Sequence, residues 1–161
     1  MTVTAGTRFD AFVDRVEIIE LVDRYMLSLD EAVIDEEWAA RFHTADIATW
    51  TPVGNTDRLD GIADATRVAL ERFQRTQHFA ANHIVDLDGD RASVRWNALM
   101  IHLHLDETQA SRGEPLGGHF DVGGIFQAEV VRTRQGWKFR RLDVRPVWLS
   151  GRPPVFEVAG S

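Results

Sequence analysis

Apolar residues recur every three or four positions in the first part of the chain, which is the spacing of one helix face. This pattern predicts a long amphipathic helix over residues 9–29, with its apolar positions at Phe9, Phe12, Val16, Ile19, Val22, Met26 and Leu29. A short second helix is predicted over 38–42, because the acidic residues 35–37 suit a helix N-terminus. A short strand is predicted over 46–51, and Asp60 is a predicted N-cap for a third helix that runs to about Arg75.

The pattern then changes to an alternation of apolar and polar residues, which is typical of strands. Four β-rich runs follow, at Gln77–Leu87, Ala92–Leu105, Phe120–Arg132 and Trp137–Trp148. Tight turns at 88–89 and 135–136 join them in pairs. The polar segment 106–118 is expected to be a surface loop or an ordered flap, and residues from Ser150 onward are expected to leave the sheet as a tail. Helices followed by a strand meander predict an α+β fold, with helices on one face of a curved sheet.

Size and composition narrow the classes of protein that the chain can form. A length of 161 residues predicts one domain, with a core at about 9–150 and a C-terminal tail at 151–161. The net charge of -7 repels a phosphate backbone, so nucleic acid is not an expected partner. The N-terminus has no basic start followed by an apolar run, and no 18-residue apolar run occurs, which predicts a cytoplasmic protein with no membrane partner. Because the chain has no cysteine, any chemistry falls to carboxylates, histidines and hydroxyls.

Histidines stand at one end of an otherwise apolar strand face. His102 and His104 share the parity of the apolar residues Ala92, Val94, Trp96, Ala98 and Met100. On the preceding strand, parity places His78, Ala80, Asn82 and Ile84 on one side. A core face that ends in histidine is what the mouth of a pocket against the sheet requires. The alternative is that these histidines are hydrogen-bonded packing residues.

A carboxylate and a phenol occur together at the end of the first predicted helix. Asp30 lies five residues after Tyr25, the only tyrosine in the chain. A carboxylate bonded to an imidazole fixes its tautomer and makes it a base that works near neutral pH, and a phenol can polarise a carbonyl. The alternative is that Asp30 belongs with Glu31 and Asp35 to a solvated acidic turn.

Six sequence features together resemble a known family. They are Tyr25 to Asp30, Thr76 to Phe79, Asn82, Asp88 to Ala92, Gly117 to Phe120 and Gly136 to Phe139. On these residues the chain, over roughly 9–150, resembles the SnoaL-like branch of the nuclear transport factor 2-like superfamily, particularly the group that includes scytalone dehydratase and the bile-acid 7α-dehydratase. The resemblance implies a cone-shaped barrel of long N-terminal helices on a strongly curved, mostly antiparallel sheet. It also implies a pocket inside the cone and a homo-oligomer, either a dimer or a trimer.

The resemblance also implies roles for individual residues. Asp30, His78 and Tyr25 fall on the acid/base positions of the dehydratases, and His102 or His104 falls near a second histidine. Trp50 stands where one of two water-holding tyrosines of scytalone dehydratase is expected, so a two-tyrosine water clamp is not implied. Apart from the resemblance, the pocket wall is expected to be aromatic and aliphatic, and the candidate substrate-contacting residues are Asn82, Trp38, Phe42, Trp50, Phe73, Trp96, Met100, His119 and Phe126. The alternative for the large apolar residues among them is that they belong to the core.

The expected function is acid/base catalysis on a small molecule without a metal or cofactor. We expect a dehydratase or cyclase that acts on an apolar, oxygenated, polyketide-type intermediate, with His78 moving the proton. Epoxide opening and double-bond isomerisation would use the same residues. Two other hypotheses remain open: a non-catalytic ligand-binding or subunit-association domain of this fold, and a metal-dependent enzyme using His102 and His104, with Glu107 and His119 as further ligands.

Overall fold

The computed structural model describes residues 5–31, 33–52 and 54–154. Four helices occur in these ranges: α1 (Ala5–Glu31), α2 (Glu36–Phe42), α3 (Ile62–Leu70) and α4 (Asp106–Arg112). Six strands occur in the same ranges: β1 (His43–Thr51), β2 (Gly54–Thr56), β3 (Phe73–Asp88), β4 (Arg91–His104), β5 (His119–Thr133) and β6 (Gly136–Gly151). No helix in this part of the chain is both long and apolar enough to cross a membrane.

One mixed sheet contains all six strands, in the order β2-β1-β6-β5-β4-β3. The pairing is antiparallel except between β1 and β6, which run parallel. The α+β fold with helices on a curved, mostly antiparallel sheet is therefore confirmed. The sheet curls but does not close into a barrel, because β2 and β3 remain as its two edges.

Helix α1 packs mainly against the edge strand β3. Its buried face begins at Ile18 and continues through Val22 and Met26, whereas Phe9 and Phe12 are exposed. The predicted helix is therefore present, but its first three predicted apolar positions, Phe9, Phe12 and Val16, lie outside the core. This packing brings the last turn of α1 against the middle of β3, where Asp30 and His78 meet.

The ends of several elements differ from the prediction. Helix α3 stops at Leu70, and Phe73 begins β3 by pairing with His104, so Phe73 is a strand residue and not part of a helix. The segment 106–118 is not only loop, since it contains α4. Strand β6 continues to Gly151, which pairs with Phe120 on β5. The tail expected from Ser150 onward therefore begins later than predicted.

A bulge in β3 reverses the predicted alternation. The β3–β4 register shifts between Ala81 and Ile84, and Asn82 adopts a positive φ of 57°. An extra residue in one strand moves every later side chain to the opposite face. Asn82 and Ile84 are therefore exposed while His83 turns inward, so the expectation that Asn82 shares a face with His78 is wrong.

The prediction for β4 is confirmed along its whole length. Its inward residues are all buried or partly buried, namely Ala92, Val94, Trp96, Ala98, Met100, His102 and His104. The core lies between this inner sheet face and the helices, and its aromatic centre includes the stacked rings of Trp96 and Phe126, 5.0 Å apart. His102 and His104 therefore continue the core face to its end at α4.

Candidate active site

Asp30 joins the end of α1 to the middle of β3. Its side chain is 12% exposed, and its Oδ2 accepts the backbone N–H of His78 at 2.7 Å. Because β3 is an edge strand, this N–H has no strand partner on that side, and the carboxylate satisfies it. The hydroxyl of Thr76 donates to Oδ1 at 2.8 Å. The solvated acidic turn considered for Asp30 is therefore not what the structure shows.

The same carboxylate fixes the ring of His78. Nδ1 of His78 lies 2.6 Å from Oδ1 of Asp30, and the His78 side chain is 4% exposed. Burial alone would raise the pKa of Asp30, but the hydrogen bonds from His78 and Thr76 outweigh it and lower the pKa below its usual value. A charged Asp30 accepts a hydrogen bond from a proton-bearing Nδ1, so in the neutral ring of His78 the unprotonated nitrogen is Nε2.

His102 lies beside His78 on the inner face, with ring centroids 5.4 Å apart. Its Nδ1 donates to the carbonyl of Phe120 at 2.7 Å, and its ring packs 4.5 Å from that of Phe73. Burial lowers the pKa of His102, and neighbouring His78 lowers it further, despite the bond to Phe120. The lowered pKa favours the neutral ring, in which Nδ1 carries the proton and Nε2 is unprotonated.

His104 has a different environment, although it shares the parity of His102. It is 1% exposed, and its Nε2 donates to the carbonyl of Arg152 at 2.8 Å. Its Nδ1 has no hydrogen-bond partner among the described residues. His104 thus fastens the segment after β6 to the sheet, and of the two candidate histidines it is His102 that contacts His78.

Tyr25 lies in an aromatic cluster formed by its own ring and those of Trp38, Phe42, His43 and Phe139. Burial raises the pKa of Tyr25 far above its usual value, so the phenol stays protonated and can only donate or accept as a neutral group. Within the described ranges, no hydrogen bond joins Tyr25 to Asp30 or His78. Its catalytic role remains a prediction.

A groove of about 640 Å³ opens beside the Asp30–His78 pair, between the end of α1, β3 and β4. This volume is in the range of small-molecule sites. Helix α1 contributes Asp23, Leu27, Asp30 and Glu31 to the wall of the groove. Strand β3 contributes Arg75, Thr76, Gln77, His78, Phe79 and Ala80, and β4 contributes Ile101 and Leu103.

Six of the residues expected to contact a substrate lie inside the fold. Trp38, Phe42, Trp96 and Phe126 belong to the buried core. Phe73 packs against His102, and Met100 is paired with His78 across the β3–β4 ladder, so these two lie nearest the imidazoles. None of the six lines the groove.

The other three lie on the surface, which corrects their expected place in the pocket wall. Trp50 is 64% exposed near the open β2 edge of the sheet. His119 is exposed at the start of β5, where its Nδ1 lies 2.9 Å from Asp121. Asn82 is turned outward by the β3 bulge and accepts a hydrogen bond from Asn97.

The metal ligands considered from the sequence are not brought together. His102 and His104 each use one ring nitrogen on a backbone carbonyl, and Glu107 and His119 are exposed. In the part of the chain that the structure describes, no group of three or more histidine or acidic side chains could hold a metal ion.

Two elements of the site were missed by sequence reasoning. Thr76 belongs to the segment Thr76 to Phe79 that carries the resemblance but not to the predicted site residues, although strand alternation places it on the same face as His78. The carbonyl of Phe120, which fixes His102, is a backbone group whose position depends on the β4–β5 register. Only the first had a signal in the sequence.

The SnoaL-like domain model matches residues 10–143 of the chain. The chain belongs to the SnoaL-like family. This SnoaL-like protein is similar to the structure of the Kfla4162 protein from Kribbella flavida, with 25% identity, a TM-score of 0.77, and coverage of 87% of this chain and 95% of that one. The resemblance inferred from the sequence is therefore confirmed.

Two more distant structures share the fold of this SnoaL-like protein. One is a proposed scytalone dehydratase from Novosphingobium aromaticivorans, with 22% identity, a TM-score of 0.73, and coverage of 94% and 97% of the two chains. The other is hexachlorocyclohexane dehydrochlorinase LinA-type3 from Novosphingobium barchaimii, with 17% identity, a TM-score of 0.72, and coverage of 95% and 99%. No curated protein sequence matches the chain.

Proposed function

We propose that this SnoaL-like protein is an acid/base lyase or isomerase, a dehydratase or cyclase, that acts on an apolar oxygenated small molecule of polyketide type. The observation that carries the proposal is the Asp30–His78 pair, in which a buried carboxylate holds Nδ1 and leaves Nε2 as a base. In this proposal the side chains of the protein supply both the acid and the base, and the reaction uses no metal or cofactor.

In the proposed reaction, Nε2 of His78 removes a proton from the carbon beside a carbonyl of the substrate. Asp30 balances the positive charge that forms on the ring. The same proton then passes to the leaving hydroxyl, so a water molecule departs and a carbon–carbon double bond remains. In a cyclisation, the carbanion instead forms a bond to a second carbonyl carbon of the substrate, the π bond of that carbonyl breaks, and its oxygen takes the proton. General acid/base catalysis of this kind contributes about 10²–10⁴-fold to the rate.

The tautomers suggest how a substrate would be oriented. His102 does not line the groove but lies behind His78 on the inner sheet face, and while Nδ1 holds the proton its Nε2 can only accept, so it would bind a substrate hydroxyl that reaches past His78. The groove offers apolar contacts at Leu27 and Phe79, whereas Asp23 and Glu31 would repel an anion. A neutral molecule with an apolar body and at least one hydroxyl meets these requirements.

The names of the structural neighbours are consistent with this chemistry. A dehydratase and a dehydrochlorinase are both enzymes of elimination. At 22% and 17% identity they share only the fold with this chain, so the proposal rests on the Asp30–His78 pair, and the neighbours do not identify the substrate.

A non-catalytic ligand-binding domain is the second candidate. It is favoured by the position of Tyr25, which has no hydrogen bond to the Asp30–His78 pair among the described residues. Such a protein would bind an apolar molecule in the groove and release it unchanged.

Incubation with a panel of neutral β-hydroxy ketones, followed by mass spectrometry of the products, distinguishes these functions. We expect wild-type protein to release water from at least one member and His78→Gln to be about 100-fold slower or worse. His83→Gln is the matched control on the same strand, and it should retain the rate. Binding of panel members without turnover would support the ligand-binding domain, and equal rates for wild type and His78→Gln would overturn the role of His78.

A further inference from the structure

We propose that Thr76 is a positioning residue that fixes the Asp30 carboxylate against His78. The inference rests on the proposed function, because it concerns the geometry of the same acid/base pair. It starts from the fact that the Asp30 carboxylate has three donors, and all three come from one short segment of β3.

The three hydrogen bonds divide unequally between the two carboxylate oxygens. Oδ2 accepts only the backbone N–H of His78, at 2.7 Å. Oδ1 accepts the hydroxyl of Thr76 at 2.8 Å and faces Nδ1 of His78 at 2.6 Å. The backbone bond alone would leave Oδ1 able to swing about the side-chain torsions of Asp30. The hydroxyl of Thr76 holds Oδ1 in the position that His78 requires.

The residue type suits this task. Thr76 and His78 are two residues apart in an extended strand, so their side chains leave the same face. The two methyl-sized branches of threonine restrict its first side-chain torsion, and its hydroxyl is therefore aimed with little freedom. Burial of the pair limits competition from water, since the Asp30 side chain is only 12% exposed.

The hydroxyl also acts on the charge of the carboxylate. A donor to Oδ1 stabilises the ionised form, and the bond from Thr76 is one of the interactions that lower the pKa of Asp30. A carboxylate that stays charged keeps the proton on Nδ1 of His78 and leaves Nε2 as the base. Position and charge thus favour the same tautomer.

Nitrogen-15 NMR of labelled histidine tests the proposal without any substrate. At a pH where His78 is neutral, the ring nitrogens report the ratio of the Nδ1–H to the Nε2–H tautomer. Thr76→Val keeps the shape of the side chain and removes the donor, Thr76→Ala removes the donor without added bulk, and Thr76→Ser restores it. Thr133→Val is the matched control, because it removes a hydroxyl donor from the β5–β6 turn, far along the chain from the pair.

We expect the ratio to fall about tenfold in Thr76→Val and Thr76→Ala, and to stay near the wild-type value in Thr76→Ser and Thr133→Val, since a hydrogen bond to a charged group has about this effect. A ratio within twofold of wild type in both donor-free variants, or a loss in Thr76→Ser as well, would overturn the proposal. If the ratio changes as expected but wild-type protein turns over no β-hydroxy ketone, Thr76 positions Asp30 and the proposed function fails separately.

Discussion

Replacement of Asp30 by asparagine removes the charge of the pair and almost nothing of its shape. The asparagine amide has one acceptor oxygen and one NH₂ group, whereas the carboxylate accepts hydrogen bonds on both oxygens. The NH₂ group cannot face the backbone N–H of His78, because two donors would meet there. It must therefore take the position of Oδ1, facing Nδ1 of His78 and the hydroxyl of Thr76.

This orientation has a defined consequence for the imidazole. Nδ1 of His78 must become the acceptor, so the proton moves to Nε2 and the base is lost. In a comparable carboxylate-to-amide change at a catalytic histidine, the wrong tautomer lowers turnover about 10⁴-fold, and we expect a loss of similar size. Stability should change much less. All three hydrogen bonds persist as weaker bonds between neutral groups, and the cost of burying a charge is removed. We therefore expect the free energy of unfolding to change by about 1–2 kcal/mol.

Nitrogen-15 NMR and urea unfolding measure the two effects separately. Asp30→Asn should switch His78 to the Nε2–H tautomer while the protein stays folded. Asp23→Asn is the matched control, since Asp23 also lines the groove but its contact is with His83. Retention of the Nδ1–H tautomer in Asp30→Asn, or a switch in the control, would refute the argument that the carboxylate sets the state of His78.

Two further predictions concern stability. Burial lowers the pKa of His43 from 6.5 to about 4, so the unfolded chain takes up a proton that the folded chain refuses, and stability should fall by about 3 kcal/mol as the pH drops from about 6.5 to about 4. Urea unfolding across this pH range should show that the free energy of unfolding of His43→Gln falls by about 3 kcal/mol less than that of wild type. An identical fall in both proteins would exclude His43 as the cause. Gly151 has a φ of +79°, and an added Cβ would lie 2.0 Å from the carbonyl oxygen of His119, so Gly151→Ala should lower the free energy of unfolding by about 2–4 kcal/mol. Gly136→Ala, at a φ of +99° with nothing within 4 Å, should lose only about 1–2 kcal/mol by the same assay, and equal losses would show that contact with His119 is unimportant.

The repeating parts of the fold could be predicted because side-chain parity determines them. Strand β4 has no register shift against β5, so alternation alone placed His102 on the inner face. The same argument succeeded for His78 and failed four residues later at Asn82, because a bulge with a positive φ of 57° intervenes. Asparagine tolerates that conformation, but nothing in the alternation marks where an extra residue enters.

The parts of the site that could not be predicted depend on contacts between distant segments. By sequence alone His102 and His104 are equivalent. Their hydrogen bonds distinguish them, because His102 bonds to the carbonyl of Phe120 and His104 to the carbonyl of Arg152. Trp50 is expected in the pocket because it stands where the resemblance implies a water-holding tyrosine, but β1 lies next to the short edge strand β2, and Trp50 is 64% exposed there. Exposure at an edge is a property of the sheet order, which pairing across the whole chain decides.

Deuterium incorporation from heavy water tests the central claim, that Nε2 of His78 removes a proton beside a carbonyl. A neutral ketone that lacks the β-hydroxyl cannot eliminate water, so its carbanion can only take a proton back, and exchange at that carbon can be followed by proton NMR. We expect catalysed exchange by wild-type protein and a loss of about 100-fold or more in His78→Gln. Exchange at the same rate in His78→Gln, or no exchange by wild-type protein with a ketone that it demonstrably binds, would contradict it.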